Sequence, residues 1–196
     1  MTDPSAQNLH ITDMMRLDLQ NSLTQSNIDP RQLSPFQRIL LTTDGTVTEI
    51  IEAYYGEMVE IIKLSQGSTT TDRPVHFLDL PAGTEVLLRK VLLRGRVSRK
   101  NYIYAESMTV EHSLPDALQN DLRNTSKPLG RLMLENRLET FREILTVRRQ
   151  PLGELSDYFE LPEDALMISR TYRVWAERKP IMLITESFPE QSFADE

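Results

Sequence analysis

The sequence has no cysteine, so disulfides, thiolate metal sites and a cysteine nucleophile are all excluded. Glycine is scarce, at seven in 196 residues, and the chain holds no phosphate-cradling loop, dinucleotide fingerprint or Ser-centred elbow, so nucleotide cofactors have little to recommend them. The three histidines, His10, His76 and His112, stand far apart without ligand spacing, and neither metal nor cofactor is expected. No apolar run reaches membrane-spanning length, and the opening MTDPSAQNLHITD lacks the basic and apolar regions of a signal peptide. The expectation is a cytoplasmic protein without membrane insertion. Positive charge is also short: 22 Lys and Arg stand against 29 Asp and Glu, giving a net charge of -7 and a pI near 5.1. That balance argues against a general nucleic-acid binder.

What is present fits one domain over residues 1–196, with 1–7 a frayed polar lead-in; hydrophobic residues are 39% and charged residues 26% of the chain. Leu9 to Leu23 has helical spacing. Ser34 and Pro35 mark an N-cap and a first helical position, with Phe36, Ile39 and Leu40 facing inward. Val47 to Tyr55 reads as a second helix with Val47, Ile50, Ile51 and Tyr54 in register. Thr48 to Met58 carries three glutamates and no Lys or Arg, so this helical pair reads as a flap and not as a DNA reader. Strands are expected over 58–64, 85–94, 101–110, 137–147, 165–176 and 181–188, with a mobile polar loop over 65–74 and helices near 115–122 and 128–133. Arg94, Arg96, Arg99 and Lys100 cluster at a hairpin tip that reads as solvated. Strands arriving in hairpins with helical pairs between them predict an α+β fold on an antiparallel sheet.

Two residues break the side-chain alternation. In TEVLLRKVLLRG, period two puts Leu87, Arg89, Val91 and Leu93 on one face, so Arg89 is the odd residue of an apolar row. Its guanidinium cannot shed its proton, so under cover it needs a carboxylate, a phosphate or carbonyls. A structural ion pair, a snorkelling edge arginine and an anion pocket all satisfy that need. In the last strand Glu186 shares a face with Met182, Ile184 and Phe188, where a carboxylate either pairs with a cation or has its pKa raised by burial. Glu106 is a third case, in a row with Tyr102, Tyr104 and Met108.

LLRKVLLRG followed by YAESMTV, then KPLGRLM, then KPIMLITESFP, resembles in order and spacing the chorismate pyruvate-lyase family, in particular its cyanobacterial and plastid branch, over about Leu33 to Pro189. The resemblance implies a monomeric, cofactor-free enzyme that turns chorismate into 4-hydroxybenzoate and pyruvate for plastoquinone or ubiquinone head groups. It implies a chorismate lyase-like antiparallel sheet with two helical flaps covering a buried ligand site. Arg89 matches the arginine that grips the ring carboxylate, and Glu186 the glutamate that meets the ring hydroxyl. Leu129 and Val47 match positions whose backbone amides help hold the carboxylate. Glu106 departs from the pattern, since proteobacterial members carry an arginine there, and the group that receives the enolpyruvyl carboxylate stays open. The competing reading is a non-catalytic sensor of small aromatic carboxylates built on the same fold, which would need a partner to reach DNA. A third is a structural protein in which Arg89 and Glu186 pair with each other.

Overall fold

The computed structural model describes residues 15–125 and 127–194. The lead-in over 1–7, His10 and the first half of the expected helix from Leu9 lie outside them.

Six antiparallel strands form one sheet in the order β1-β2-β3-β6-β5-β4. β1 (Val59–Thr70), β2 (Glu85–Gly95) and β3 (Asn101–Thr109) make one meander, and β4 (Phe141–Pro151), β5 (Leu166–Ala176) and β6 (Lys179–Pro189) make another. The meanders join where β3 pairs with β6. Helices α1 (Leu17–Gln25), α2 (Pro35–Thr42) and α3 (Val47–Tyr55) precede the sheet, α4 (Asp116–Asn124) and α5 (Leu129–Glu135) fill the crossover between meanders, and the short α6 (Ser156–Phe159) follows β4.

Local chemistry explains most boundaries. Ser34 caps α2 by accepting from the Gln37 amide while Gln37 Oε1 accepts from the Ser34 amide, a reciprocal capping box behind Pro35. α3 stops at Gly56, whose φ of 65° is cheap only without a Cβ. The β5–β6 hairpin turns on Glu177 and Arg178 alone, both left-handed at φ 49° and 64°, the pattern of a two-residue primed turn. Along α1, Asp18 and Ser22 accept the amides of Ile144 and Val147, and the Ser26 hydroxyl donates to the Val147 carbonyl, which occupies the outer edge of β4.

Four expectations need correction. β1 does not end at Leu64; past a bulge between Lys63 and Ser65 it continues to Thr70, with Gln66 opposite Arg89 and Thr70 opposite Glu85. The segment is polar because it is an edge strand with water beyond it, and its backbone supplies the partners that β2 requires. β4 begins at Phe141 and not at Arg137, because Arg137 takes a left-handed conformation and the amides of Arg137 and Leu138 close the end of α5. A bulge between Ile144 and Thr146 then shifts the alternation, so the buried pair is Ile144 and Val147. On α2 and α3, Ile39 and Tyr54 are about half exposed, at 48% and 51%, while Gln37 and Leu41 turn inward. The basic hairpin tip is not simply solvated: Arg94 and Arg99 both reach Glu60, and Glu57 accepts the Val97 and Ser98 amides.

The core lies between one sheet face and the helices, where Leu23, Leu40, Val47, Ile51, Leu118, Leu122 and Leu132 meet Leu87, Leu93, Ile103, Ile168, Val174 and Phe188.

Candidate active site

Register places a polar island in the middle of that covered face. Residues directly opposite on neighbouring strands point to the same side. One row therefore runs Gln66, Arg89, Ser107, Ile184, Tyr172, Ile144, and the next runs Val91, Ala105, Glu186, Arg170, Val147. The rows beyond are mainly apolar at their centres, with Leu87, Met182 and Val174 around a buried Thr109 on one side and Leu93, Ile103 and Ile168 on the other, and Arg142 stands at the β4 end of the first.

Arg89 is 5% exposed, and its Nε and Nη2 have no hydrogen-bond partner among the described residues. Burial pulls its pKa down from 12.5, yet a guanidinium stays charged far above neutrality. Across the ladder, Gln66 Oε1 is likewise buried and unpartnered. A cation and an acceptor on adjacent strands, neither partnered among the described residues, together suit a polar group that can meet both.

Glu186 does not pair with Arg89. Its Oε2 accepts from Arg170 Nε at 2.9 Å and its Oε1 from the Tyr172 hydroxyl at 3.0 Å. Arg170 is 1% exposed, and its Nη1 donates to the Thr43 carbonyl at 3.0 Å. Its Cζ lies 5.0 Å from the Tyr172 ring centroid, and its Nη2 is buried without a partner among the described residues. Burial first, then the charge of Glu186, raise the Tyr172 pKa, so this hydroxyl stays protonated and donates. The polar island thus holds two guanidinium groups, one fixed carboxylate and one phenol.

α3 and α5 bring their N-termini together a few residues from Thr43, whose carbonyl Arg170 holds. Thr46 and Pro128, the cap residues, make no side-chain cap bond, so the first amides of each helix, including those of Val47 and Leu129, lack helical partners. The two ends touch: a Cβ on Gly130 would lie 2.8 Å from Thr46 Cγ2. Val47 is 5% exposed, and Leu129 packs against the core.

Of the four site residues expected from sequence, Arg89 and Glu186 share the covered sheet face, and Val47 and Leu129 sit at the two converging helix starts. Glu106 lies on the opposite face, beside Lys90 at 3.2 Å. Sequence reasoning missed Arg170, Tyr172 and Gln66. The alternation rule applied to β5 puts Ile168, Arg170, Tyr172 and Val174 on one side, which singles out Arg170 by the same anomaly that singled out Arg89.

Residues 41–194 match the family described as Chorismate pyruvate-lyase Rv2949c-like. The chain belongs to this family. It is 30% identical over 178 residues to the chorismate pyruvate-lyase of Mycobacterium leprae, covering 88% of this chain and 82% of that one. The chorismate pyruvate-lyase of Mycobacterium tuberculosis H37Rv is also 30% identical, with 87% of each chain covered. Among solved structures, the effector domain of PhnF from Mycobacterium smegmatis superposes with a TM-score of 0.61 at 14% identity, over 75% of this chain and 90% of that one. A GntR-family transcriptional regulator from Bacillus cereus gives 0.54 at 11% identity, over 70% and 96%. At such identities these structures speak to the fold, an α+β architecture on a six-stranded antiparallel sheet. Among the described residues no helix is long and apolar enough to cross a membrane.

Proposed function

We propose that this protein is a chorismate pyruvate-lyase, releasing pyruvate from chorismate to leave 4-hydroxybenzoate. The observation that carries the reading is Arg89: a buried guanidinium with two unmet nitrogens, in a chain of this family, calls for an anion of the kind chorismate brings.

Chorismate has two carboxylates. Arg89 takes the ring carboxylate, helped by the amides of Val47 and Leu129, and Glu186 accepts from the C4 hydroxyl. With Glu106 on the far face, we assign the enolpyruvyl carboxylate to Arg170, whose Nη2 is free in the same island. The reaction breaks the ether bond at C3 and removes the proton at C4; the departing enolpyruvate takes up a proton to become pyruvate, and the ring becomes aromatic. The gain in aromaticity is built into the substrate, so the protein's part is orientation, charge matching and exclusion of water. Arg170 and Tyr172 fix Glu186 in one rotamer, and each carboxylate oxygen keeps a lone pair for the substrate. No cofactor enters this scheme, and a monomer is sufficient for it. The finer reading, membership of the cyanobacterial and plastid branch serving quinone head groups, rests on the combined order and spacing of LLRKVLLRG, YAESMTV, KPLGRLM and KPIMLITESFP.

The test is an assay of purified protein with chorismate and no added metal, following 4-hydroxybenzoate and pyruvate together. Equal amounts of both support the proposal. Tight binding of 4-hydroxybenzoate without turnover would instead make the chain a sensor, and activity lost to a chelator and restored by a divalent ion would sink the cofactor-free mechanism.

A further inference from the structure

The reverse face of the sheet carries a trough of about 400 Å³. Its floor is two rows of polar side chains set by register. The first is Tyr104, Ser187, Ser169 and Arg148, and the second is Glu106, Thr185, Thr171 and Thr146. Phe77, from the turn at His76–Leu78, and Leu155, from the turn at Gly153–Leu155, form walls.

A polar outer face on an antiparallel sheet ordinarily means that it faces bulk water. Here the central serines do not. Ser187 is 3% and Ser169 is 7% exposed, and neither hydroxyl has a hydrogen-bond partner among the described residues. Thr171 and Thr185 beside them bond to each other at 2.9 Å. Two mostly buried, opposed serines whose hydroxyls bond to none of the described residues and open onto a cavity offer donors and acceptors to what enters it. The trough's charges are answered or peripheral: Glu106 is paired with Lys90 and Arg148 is at the exposed rim.

We propose that this trough binds a neutral, multiply hydroxylated small molecule of the sugar or cyclitol class, one or two rings in size. Serine and threonine hydroxyls donate and accept alike, which suits a ligand whose own hydroxyls do the same. Apolar walls accept the C–H faces of such a ring, and the volume lies within the small-molecule range of roughly 300–1,000 Å³. Among the described residues the trough's only unpaired cation is Arg148, which is solvated at the rim, and the buried part of the floor offers hydroxyls alone, which disfavours chorismate and its product as occupants. This site is independent of the lyase reading, because alternation along β5 and β6 turns Ser169, Thr171, Thr185 and Ser187 away from Arg170 and Glu186.

The experiment is an amide-resolved NMR titration of the full chain with glucose, mannose, myo-inositol and trehalose separately. At least one is expected to shift the amides of Ser169, Thr171, Thr185 and Ser187 saturably, with a Kd on the order of millimolar. The Ser169→Ala/Ser187→Ala double variant, and separately Thr171→Val, should weaken that binding about tenfold, near 1.4 kcal/mol, while leaving the thermal midpoint and chorismate turnover in place. No saturable shift from any of the four probes would overturn the proposal, as would shifts that persist unchanged in both variants. Trough resonances that respond to protein concentration instead of to sugar would also overturn it, by assigning this face to a second copy of the chain.

Discussion

Glu186 meets Arg170 across the β5–β6 ladder at 2.9 Å, and Arg89, on the same covered face, is left without a carboxylate among the described residues. The two arginines therefore divide the work. Arg170 holds the protein's own carboxylate through Nε and keeps Nη2 over, whereas Arg89 has its whole fork open to a carboxylate from outside. A reading in which Arg89 and Glu186 neutralise each other does not survive this geometry.

Because Arg89 is buried and unpaired, it costs the free protein stability. Arg89→Met is expected to raise the thermal midpoint by a few degrees, on the order of 1 kcal/mol, while weakening 4-hydroxybenzoate by about thirty-fold or more. Arg89→Lys should restore little, since a point charge replaces a planar fork. Thermal unfolding with and without product, alongside calorimetric titration, checks both halves; unchanged affinity in the methionine variant would mark Arg89 as structural.

Glu186→Gln keeps the side-chain shape but removes its charge, and turnover is expected to fall by roughly a hundred-fold with a smaller change in product affinity. Glu186→Ala should in addition destabilise the fold by about 3–5 kcal/mol, because the buried Arg170 loses its carboxylate. Single-turnover assays and urea unfolding separate the two effects. Normal turnover in the glutamine variant would mean that Glu186 only orients the ring.

Gly130→Ala drives a methyl group into Thr46, with contacts of 2.8 Å to Cγ2 and 2.9 Å to Oγ1. Parting the two helix starts should lower product affinity about tenfold. Thr46→Ala removes the two closest atoms, leaving only Cβ at 3.3 Å, and removes no cap bond, so the double variant should recover most of the loss. A double variant as weak as Gly130→Ala alone would contradict a shared binding role for these helix ends.

Glu57 accepts from the hydroxyls of Ser98 and Tyr102 and from the Ser98 and Val97 amides, which together hold its pKa down to about 2 from an ordinary 4.5. A depressed folded-state value stabilises the protein fully above the unfolded value, and that contribution is lost as pH falls through the folded value. Wild-type stability should therefore decline between about pH 4.5 and 2. Glu57→Gln should be less stable at neutral pH and show a flatter acid limb. Urea midpoints across that window test the sign, and parallel curves for both proteins would refute it.

Alternation made β2 and β6 legible because both are regular where it matters, and Arg89 and Glu186 stood out against buried aliphatic rows. The same rule failed on β4, where a bulge at Leu145 shifts the period, and on the far half of β1, where edge exposure removes the apolar signal. Gln66 was lost with that half-strand. Arg170 was not hidden by irregularity; its row is as regular as that of Arg89. Glu186 meets Arg170 through the register of the β5–β6 hairpin, which is local, whereas the placing of Arg89 on the same face two strands away depends on the β3–β6 pairing between the meanders, long-range information that no local pattern contains.

The seam between α1 and β4 bears on how copies of this chain can meet. Asp18, Ser22 and Ser26 occupy backbone groups on the outward side of β4, whereas β1, at the other end of the sheet, has a strand partner on one side only. A sheet with one end partly stoppered recruits a strand more readily at the other. Of the two ends, β1 therefore offers the longer open edge, and its polar tail, with Ser65, Ser68, Thr69 and Thr70, presents side chains that water already satisfies.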